Sequence, residues 1–469
     1  MTEWNNSQPL WTPSETRVEN AAMTDFARYC AGRSGKPLSG YADLHGWSVN
    51  ARGEFWSAVW DYCGIRGEKG ERQVIDAGKM PGASFFPDAK INFAENMLWK
   101  DGDGDAIVFR AEDKAKRRWS WDDLRAHVSH LQQAMKDAGV GVGDRVAAMM
   151  PNMPETVAIM LATSSLGAIF SSCSPDFGVE GVIDRFGQIE PKLFFACDGY
   201  WYAGKTLPLL EKLTAIADRL PTADRVIIVK HIGVDRQTAD ALPRATTLED
   251  FTADFRPAPL EFTRLPFNHP LYILFSSGTT GVPKCIVHGA GGTLIQHLKE
   301  HRFHADQKEG DRLFYFTTCG WMMWNWLVTG LASGMTLLLF DGSPFHPDGN
   351  VLFDFAQAER MTYFGTSAKY IDALRKSGLR PVETHDLSAV RTMSSTGSPL
   401  SPEGFAFVYD GIKKDVHLAS ISGGTDIVSC FVLGIPELPV YAGEIQGAGL
   451  GMAVDVWDDD AKPVRGEKG

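Results

Sequence analysis

The sequence has 469 residues, too many for one small core and enough for two or three subdomains. Hydrophobic residues make up 44% and charged residues 22%, the balance of a soluble globular protein. The net charge of −12 argues against a nucleic-acid binder, which needs a basic face, but not against an anionic small molecule held by a locally positive loop.

The opening residues MTEWNNSQPLW lack the basic region and apolar core of a signal peptide. Cys30, Cys63, Cys173, Cys197, Cys285, Cys319 and Cys430 are odd in number, scattered and free of any CxxC. They point to a reducing, cytoplasmic setting with neither a disulfide framework nor a zinc site. From Trp4 to Met97 the chain is rich in tryptophan and glycine, and GEFWSAVWDYC (Gly53–Cys63) has helical spacing. Residues 1–97 are therefore expected to be a lead-in packed on a main body at 98–469.

The main body alternates strand and helix. AIVFR (Ala106–Arg110) reads as a strand, Trp121–Gly139 as an amphipathic helix closed by a glycine cap, and RVAAMM (Arg145–Met150) as a strand. Pro154 opens the next helix. KLFFAC (Lys192–Cys197) and RVIIVK (Arg225–Lys230) are further short apolar strands. A second cycle starts at LYILF (Leu271–Phe275), continues through a helix over TLIQHLKEHRFH (Thr293–His304) and reaches strands in RLFYFTT, MTLLLF, MTYFG and RTMSST. Such alternation predicts an α/β fold of layered, mostly parallel sheets.

Thr156–Pro175 and Leu313–Phe340 are long and uncharged. The first carries Thr163, Ser164, Ser165, Ser171 and Ser172, and the second is broken by Gly320, Gly330 and Gly334. Both are expected to be buried core, not membrane spans.

Three polar loops follow strands: SSGTTG (Ser276–Gly281), SSTGSP (Ser394–Pro399) and SGGTD (Ser422–Asp426). Ligands of open α/β sheets bind at the carboxyl ends of strands, so the three loops are expected to converge. In SSGTTGVPK (Ser276–Lys284), glycine-rich backbone forms an anion nest, the hydroxyls add donors and Lys284 adds a charge, a set suited to nucleotide phosphates. The Walker pattern needs Gly-Lys-Ser/Thr; here the lysine follows Pro283, which disfavours a P-loop enzyme.

The wider string YILFSSGTTGVPKCIVHGAGG resembles the phosphate-loop motif of the adenylate-forming superfamily. SSTGSPLSPEG is similar to the adenine-contacting loop of its acetyl-CoA synthetase branch, and FWSAVWDY and SFFPDAKINFAENML look like that branch's N-terminal lead-in. TTCGWMMWNWLVTGL and the SGGTD turn most resemble the acetoacetate-activating members. The resemblance covers nearly the whole chain. It implies a large adenylation domain with a small β subdomain, and a reaction that uses ATP, Mg2+ and CoA to turn an acid into its thioester through acyl-AMP. It implies small-molecule substrates only, with no nucleic acid and no membrane.

By motif, Ser277, Gly278, Thr279, Thr280, Gly281 and Lys284 are expected to hold the β/γ-phosphates; Gly397, Ser398 and Pro399 the adenine; Thr425 the α-phosphate; Gly424 and Asp426 are expected to bind ATP beside it. Lys284, Thr425 and Asp426 are the expected catalytic groups. Asp426 stands where the family has Glu, as the expected metal ligand. Trp321, Met322, Met323, Thr396 and Gly423 are expected to line the acyl pocket. Gly423 stands where the acetate-specific branch has tryptophan, so it is expected to open room for an acid larger than acetate. Acetoacetate's keto oxygen needs a donor, and Trp324, Asn325 and Trp326 all offer an N–H. In CDGYWYAGK, Tyr202 and Lys205 occupy the places of two CoA-binding arginines, leaving Lys205 as the expected CoA contact.

The family continues past a segment like VRGEKG with a ribose-binding Gly-Asp motif, a hinge and a small mobile C-terminal domain. The sequence is thus expected to be the large portion without that domain, and a poor ligase alone. Two alternatives stand beside acetoacetate ligation: a medium-chain or branched acyl-CoA synthetase, and a non-catalytic nucleotide- or acyl-binding fragment.

Overall fold

The computed structural model of the chain describes residues 8–233, 242–276 and 281–466. The alternation of strand and helix builds two seven-stranded sheets. In the first, the strands run edge to edge as Ala245–Thr247, Arg225–Val229, Leu193–Cys197, Arg145–Met149, Ile169–Cys173, Pro270–Ser276 and Lys284–Gly289. All neighbours are parallel except the last pair, an antiparallel hairpin. In the second the order is His417–Ser420, Thr392–Thr396, Tyr363–Ser367, Arg312–Tyr315, Thr336–Asp341, Asp105–Ala111 and Ala115–Ser120, again parallel up to a closing antiparallel pair. A small antiparallel sheet of Ser422–Gly424, Ser429–Leu433 and Gly447–Ala448 follows.

The helix Pro154–Ser165 is buried on every face, with only Glu155 partly exposed. A helix apolar all round belongs inside a protein. Its hydroxyls are satisfied by nearby backbone: Thr156 Oγ1 donates to Pro151 O at 2.8 Å, Thr163 Oγ1 to Ile159 O at 2.7 Å and Ser165 Oγ to Ala162 O at 2.6 Å. The second uncharged stretch divides into the strand Arg312–Tyr315, the helix Met322–Thr329 and the strand Thr336–Asp341. Among the described residues no helix is long and apolar enough to cross a membrane.

The N-terminal helices Ala22–Ser34 and Arg52–Cys63 pack on the main body through aromatic rings. Phe26 stacks on Phe303 at 4.1 Å between centroids, and Trp60 meets Phe86 and Phe267. The Ala22 N–H donates to Asp306 Oδ1 at 2.8 Å.

Two local expectations change. The helix read over Thr293–His304 is α-helical only at Ala290–Lys299; Glu300–His304 is a π-turn, with the Ala305 N–H donating to Glu300 O at 2.8 Å. Such wide turns concentrate at functional sites, and this one carries a buried carboxylate. The SGGTD segment is not all loop: Ser422–Gly424 pairs as a strand with Ser429–Leu433, with a register shift between Ser422 and Gly423.

Candidate active site

Where the second sheet's strands end, one cleft of about 560 Å³ opens. Trp321, Met322 and Met323 form one wall, Thr396, Gly397, Ser398 and Pro399 another, and Ser422, Gly423, Gly424 and Thr425 a third. Ser420, Ile421, Ser429 and Cys430 complete the floor. Two of the three loops expected to converge are therefore joined here. Hydrogen bonds fasten them: the Ile421 N–H donates to Ser395 O at 2.9 Å, and Thr396 Oγ1 donates to Ile421 O at 3.0 Å. Trp321 is 60% exposed and stands at the mouth.

The third loop bridges the hairpin Pro270–Ser276/Lys284–Gly289, in which Ser276 faces Lys284. Ser277, Gly278, Thr279 and Thr280 lie outside the described residues. Gly281 has φ +124°, a conformation that favours glycine. Gly281 and Lys284 are exposed and do not line the cleft. The hairpin is nevertheless tied to it. On the strand carrying Lys284, four residues on and roughly 13 Å away, His288 Nε2 donates to Thr425 O at 2.7 Å. Burial lowers the His288 pKa, while the Thr425 carbonyl and Asp426 pull it back up. Asp426 itself is exposed, one residue past the lining of the cleft.

Gly423 lines the cleft, and its surroundings leave no room for a side chain. A Cβ there would lie 2.0 Å from Ser429 O and 2.6 Å from Cys430 Cα. With this backbone a side chain at 423 would run into the neighbouring strand at Ser429 and Cys430, so a tryptophan there would need the two strands to separate. Glycine sits at 423 because two backbones meet at a bulge. Gly424 is the opposite case: a Cβ there meets only Asp426 N, at 4.0 Å.

The three candidate keto-oxygen donors also separate. Trp324 Nε1 donates to Asn152 Oδ1 at 3.0 Å, and Trp326 Nε1 to Glu300 Oε2 at 2.9 Å. Asn325 is wholly buried, and neither its Nδ2 nor its Oδ1 has a hydrogen-bond partner among the described residues.

Lys205 is elsewhere. It is exposed in the hairpin Gly199–Tyr202/Lys205–Pro208, outside the lining of the cleft. The tip of that hairpin is held by Glu112, whose carboxylate accepts from Ala203 N at 2.6 Å, Gly204 N at 2.9 Å and Ser343 N at 2.8 Å. Glu112, Asp113 and His346 form the one three-residue group of potential metal ligands among the described residues, and none of them lines the cleft.

Sequence reasoning missed the supports. His297 Nε2 donates to Val428 O at 2.9 Å, next to the floor residue Ser429, and burial lowers its pKa to about 3. Glu300 lies under the same floor and accepts from Ser429 Oγ at 2.6 Å. The signal for Glu300 was present: a Lys-Glu pair inside an apolar helical run.

An AMP-binding enzyme family model matches residues 98–469, and an acetyl-coenzyme A synthetase N-terminus model matches residues 41–97. An acetoacetyl-coenzyme A synthetase of Rhizobium meliloti (strain 1021) is 64% identical over 98% of this chain and 71% of the relative. An acetoacetyl-CoA synthetase of Gallus gallus is 46% identical over 99% of this chain and 70% of the relative. The solved acetoacetyl-CoA synthetase from Streptomyces lividans superposes with a TM-score of 0.92 at 40% identity, covering 98% of this chain and 71% of that one.

Proposed function

The chain belongs to the AMP-binding enzyme family, and from that premise we propose how its residues serve an acetoacetate–CoA ligase, the activity that its relatives' names carry. A carboxylate oxygen of the acid attacks the α-phosphorus of ATP, and the bond to pyrophosphate breaks to leave acyl-AMP. The CoA sulfur then adds to the acyl carbon, loses its proton and expels AMP. No covalent intermediate on the protein is needed, so positioning and electrostatics carry the rate.

In this reading the adenine lies along Gly397, Ser398 and Pro399, and the α-phosphate meets Gly424 and Thr425. The β/γ-phosphates take Ser277 to Gly281 and Lys284, whose ammonium offsets the charge growing on pyrophosphate. The acid lies against Trp321, Met322, Met323 and Thr396, with the Gly423 backbone as part of the wall. CoA contacts Lys205. Asp426 fits Mg2+ as a lone exposed hard carboxylate beside the α-phosphate position, since Mg2+ commonly takes one or two carboxylates and completes its shell with phosphate and water. When bound, Mg2+ supplies charge neutralisation on the phosphates.

The observation that carries the reading is the cleft at the ends of the second sheet's strands, which apolar methionines and two glycine- and hydroxyl-rich segments line together. The methionine wall carries no charge, which suits an uncharged acyl tail. The test is ATP–pyrophosphate exchange with acetoacetate, butyrate, hexanoate and acetate in parallel. Acetoacetate is expected to give the highest rate at limiting acid. A higher rate with hexanoate would move the reading to a medium-chain ligase. Lys284→Ala is expected to slow exchange at saturating ATP by at least about tenfold.

A further inference from the structure

Glu300 is only 4% exposed, and its carboxylate accepts four hydrogen bonds. Oε1 accepts from Ser429 Oγ at 2.6 Å, the Cys430 N–H at 3.0 Å and Gln296 Nε2 at 3.1 Å. Oε2 accepts from Trp326 Nε1 at 2.9 Å. Lys299 Nζ, wholly buried, lies 3.7 Å from Oε1. The donors come from different walls. Ser429 and Cys430 are the floor of the cleft, and Trp326 lies one turn along the helix that opens with Met322 and Met323. A void of about 20 Å³, room for one water, is bounded by Glu300, Trp326, Ile421 and Cys430 among others. Ile421 and Cys430 line the cleft as well, so Glu300 stands one residue behind its floor.

Burying a carboxylate is costly unless hydrogen bonds and a counter-charge compensate it. Here the compensation clamps two walls that share no strand or helix. We infer that Glu300 is a positioning residue for acid recognition: its carboxylate fixes the spacing between the methionine wall and the Ser429–Cys430 floor, and thereby sets which acyl group the cleft accepts. The π-turn at Glu300–His304 aims the carboxylate at both walls. The inference rests on the reading of this cleft as the acid site and names the group that sets its width.

The test measures binding by calorimetry on the whole chain, with acetoacetate and butyrate in the presence of a non-hydrolysable ATP analogue, and with the analogue alone. Glu300→Gln replaces one acceptor oxygen by a donor and sets it against donors on the walls. It is expected to weaken acetoacetate binding by about tenfold or more, to lower the ratio of acetoacetate to butyrate affinity, and to leave the analogue's affinity within about twofold. Trp326→Phe keeps the ring and removes one N–H, and is expected to act in the same direction with a smaller effect. Glu300→Gln leaves the Lys299 ammonium uncompensated, so the double variant Lys299→Met/Glu300→Gln is measured too. It is expected to unfold at a temperature close to that of the unsubstituted chain yet to keep the weakened acid binding. Restored acid affinity in the double variant, or equal losses for acid and analogue, would overturn the inference and leave the cleft's assignment intact. An unsubstituted chain that binds the analogue but neither acid would overturn the assignment and the inference together.

Discussion

Asn325 keeps a carboxamide in the core with no hydrogen-bond partner among the described residues. A buried donor or acceptor left unmade costs about 1–3 kcal/mol, so a residue that holds both is an expensive choice for packing alone. Leucine has nearly the same volume without that cost. Asn325→Leu is expected to raise the free energy of unfolding in urea by at least about 1 kcal/mol. Asn325 does not line the cleft, so a fall in acetoacetate binding relative to butyrate on the same change would mean that the keto oxygen reaches behind the methionine wall. A variant that is no more stable would mean that the amide is already satisfied. A stabilised variant with an unchanged acid ratio would remove Asn325 from recognition.

The strand Ser422–Gly424 turns on which of its two glycines can carry a side chain. Gly423→Ala drives a methyl into Ser429 O and is expected to cost about 1–3 kcal/mol of stability, with parallel losses for every acid. Gly424→Ala meets open space and is expected to leave stability within about 0.5 kcal/mol while narrowing the cleft. Melting temperatures and acid affinities of the two variants decide the matter, and equal melting temperatures would contradict the bulge. The pair also marks the limit of reading sequence. Apolar runs such as LYILF and RVIIVK announced strands, because period and turn residues are local properties. The meeting of the Thr396–Pro399 and Ser422–Thr425 segments followed from their place after strands. The direction of a Cβ at 423 did not, since it depends on a register shift with a strand six residues on. Nor did the clamp at Glu300, whose partners at 429 and 430 come from a distant segment.

Across the whole molecule, burial holds several histidines neutral. His297 and His301 have pKa values lowered to about 3, His231 and His417 to about 4, and burial lowers His304 as well, against an ordinary 6.5. A lowered folded pKa means that the unfolded chain takes up protons first, so stability is full above about pH 6.5 and falls as the pH drops toward 4. Asp341, raised by burial from 3.8 to about 7, works in the opposite sense, as do Asp306 and Glu437. With His127, His130 and His288 also lowered by burial, eight histidines outweigh three acids, and the urea midpoint is expected to fall steadily from pH 7 to pH 4.5. A flat profile over that range would show that those imidazoles charge within the fold. The helix Pro154–Ser165, enclosed on all sides, offers a common scale for these measurements. From Val157 to Ala162 no residue has any exposed surface. Its amide hydrogens can reach deuterium oxide only when the sheets around them come apart. Their exchange rates therefore report the opening of the entire molecule, while loop amides report local fraying. One mass-spectrometric peptide from this helix will tell a variant that has lost its fold from one that has lost only its ligand.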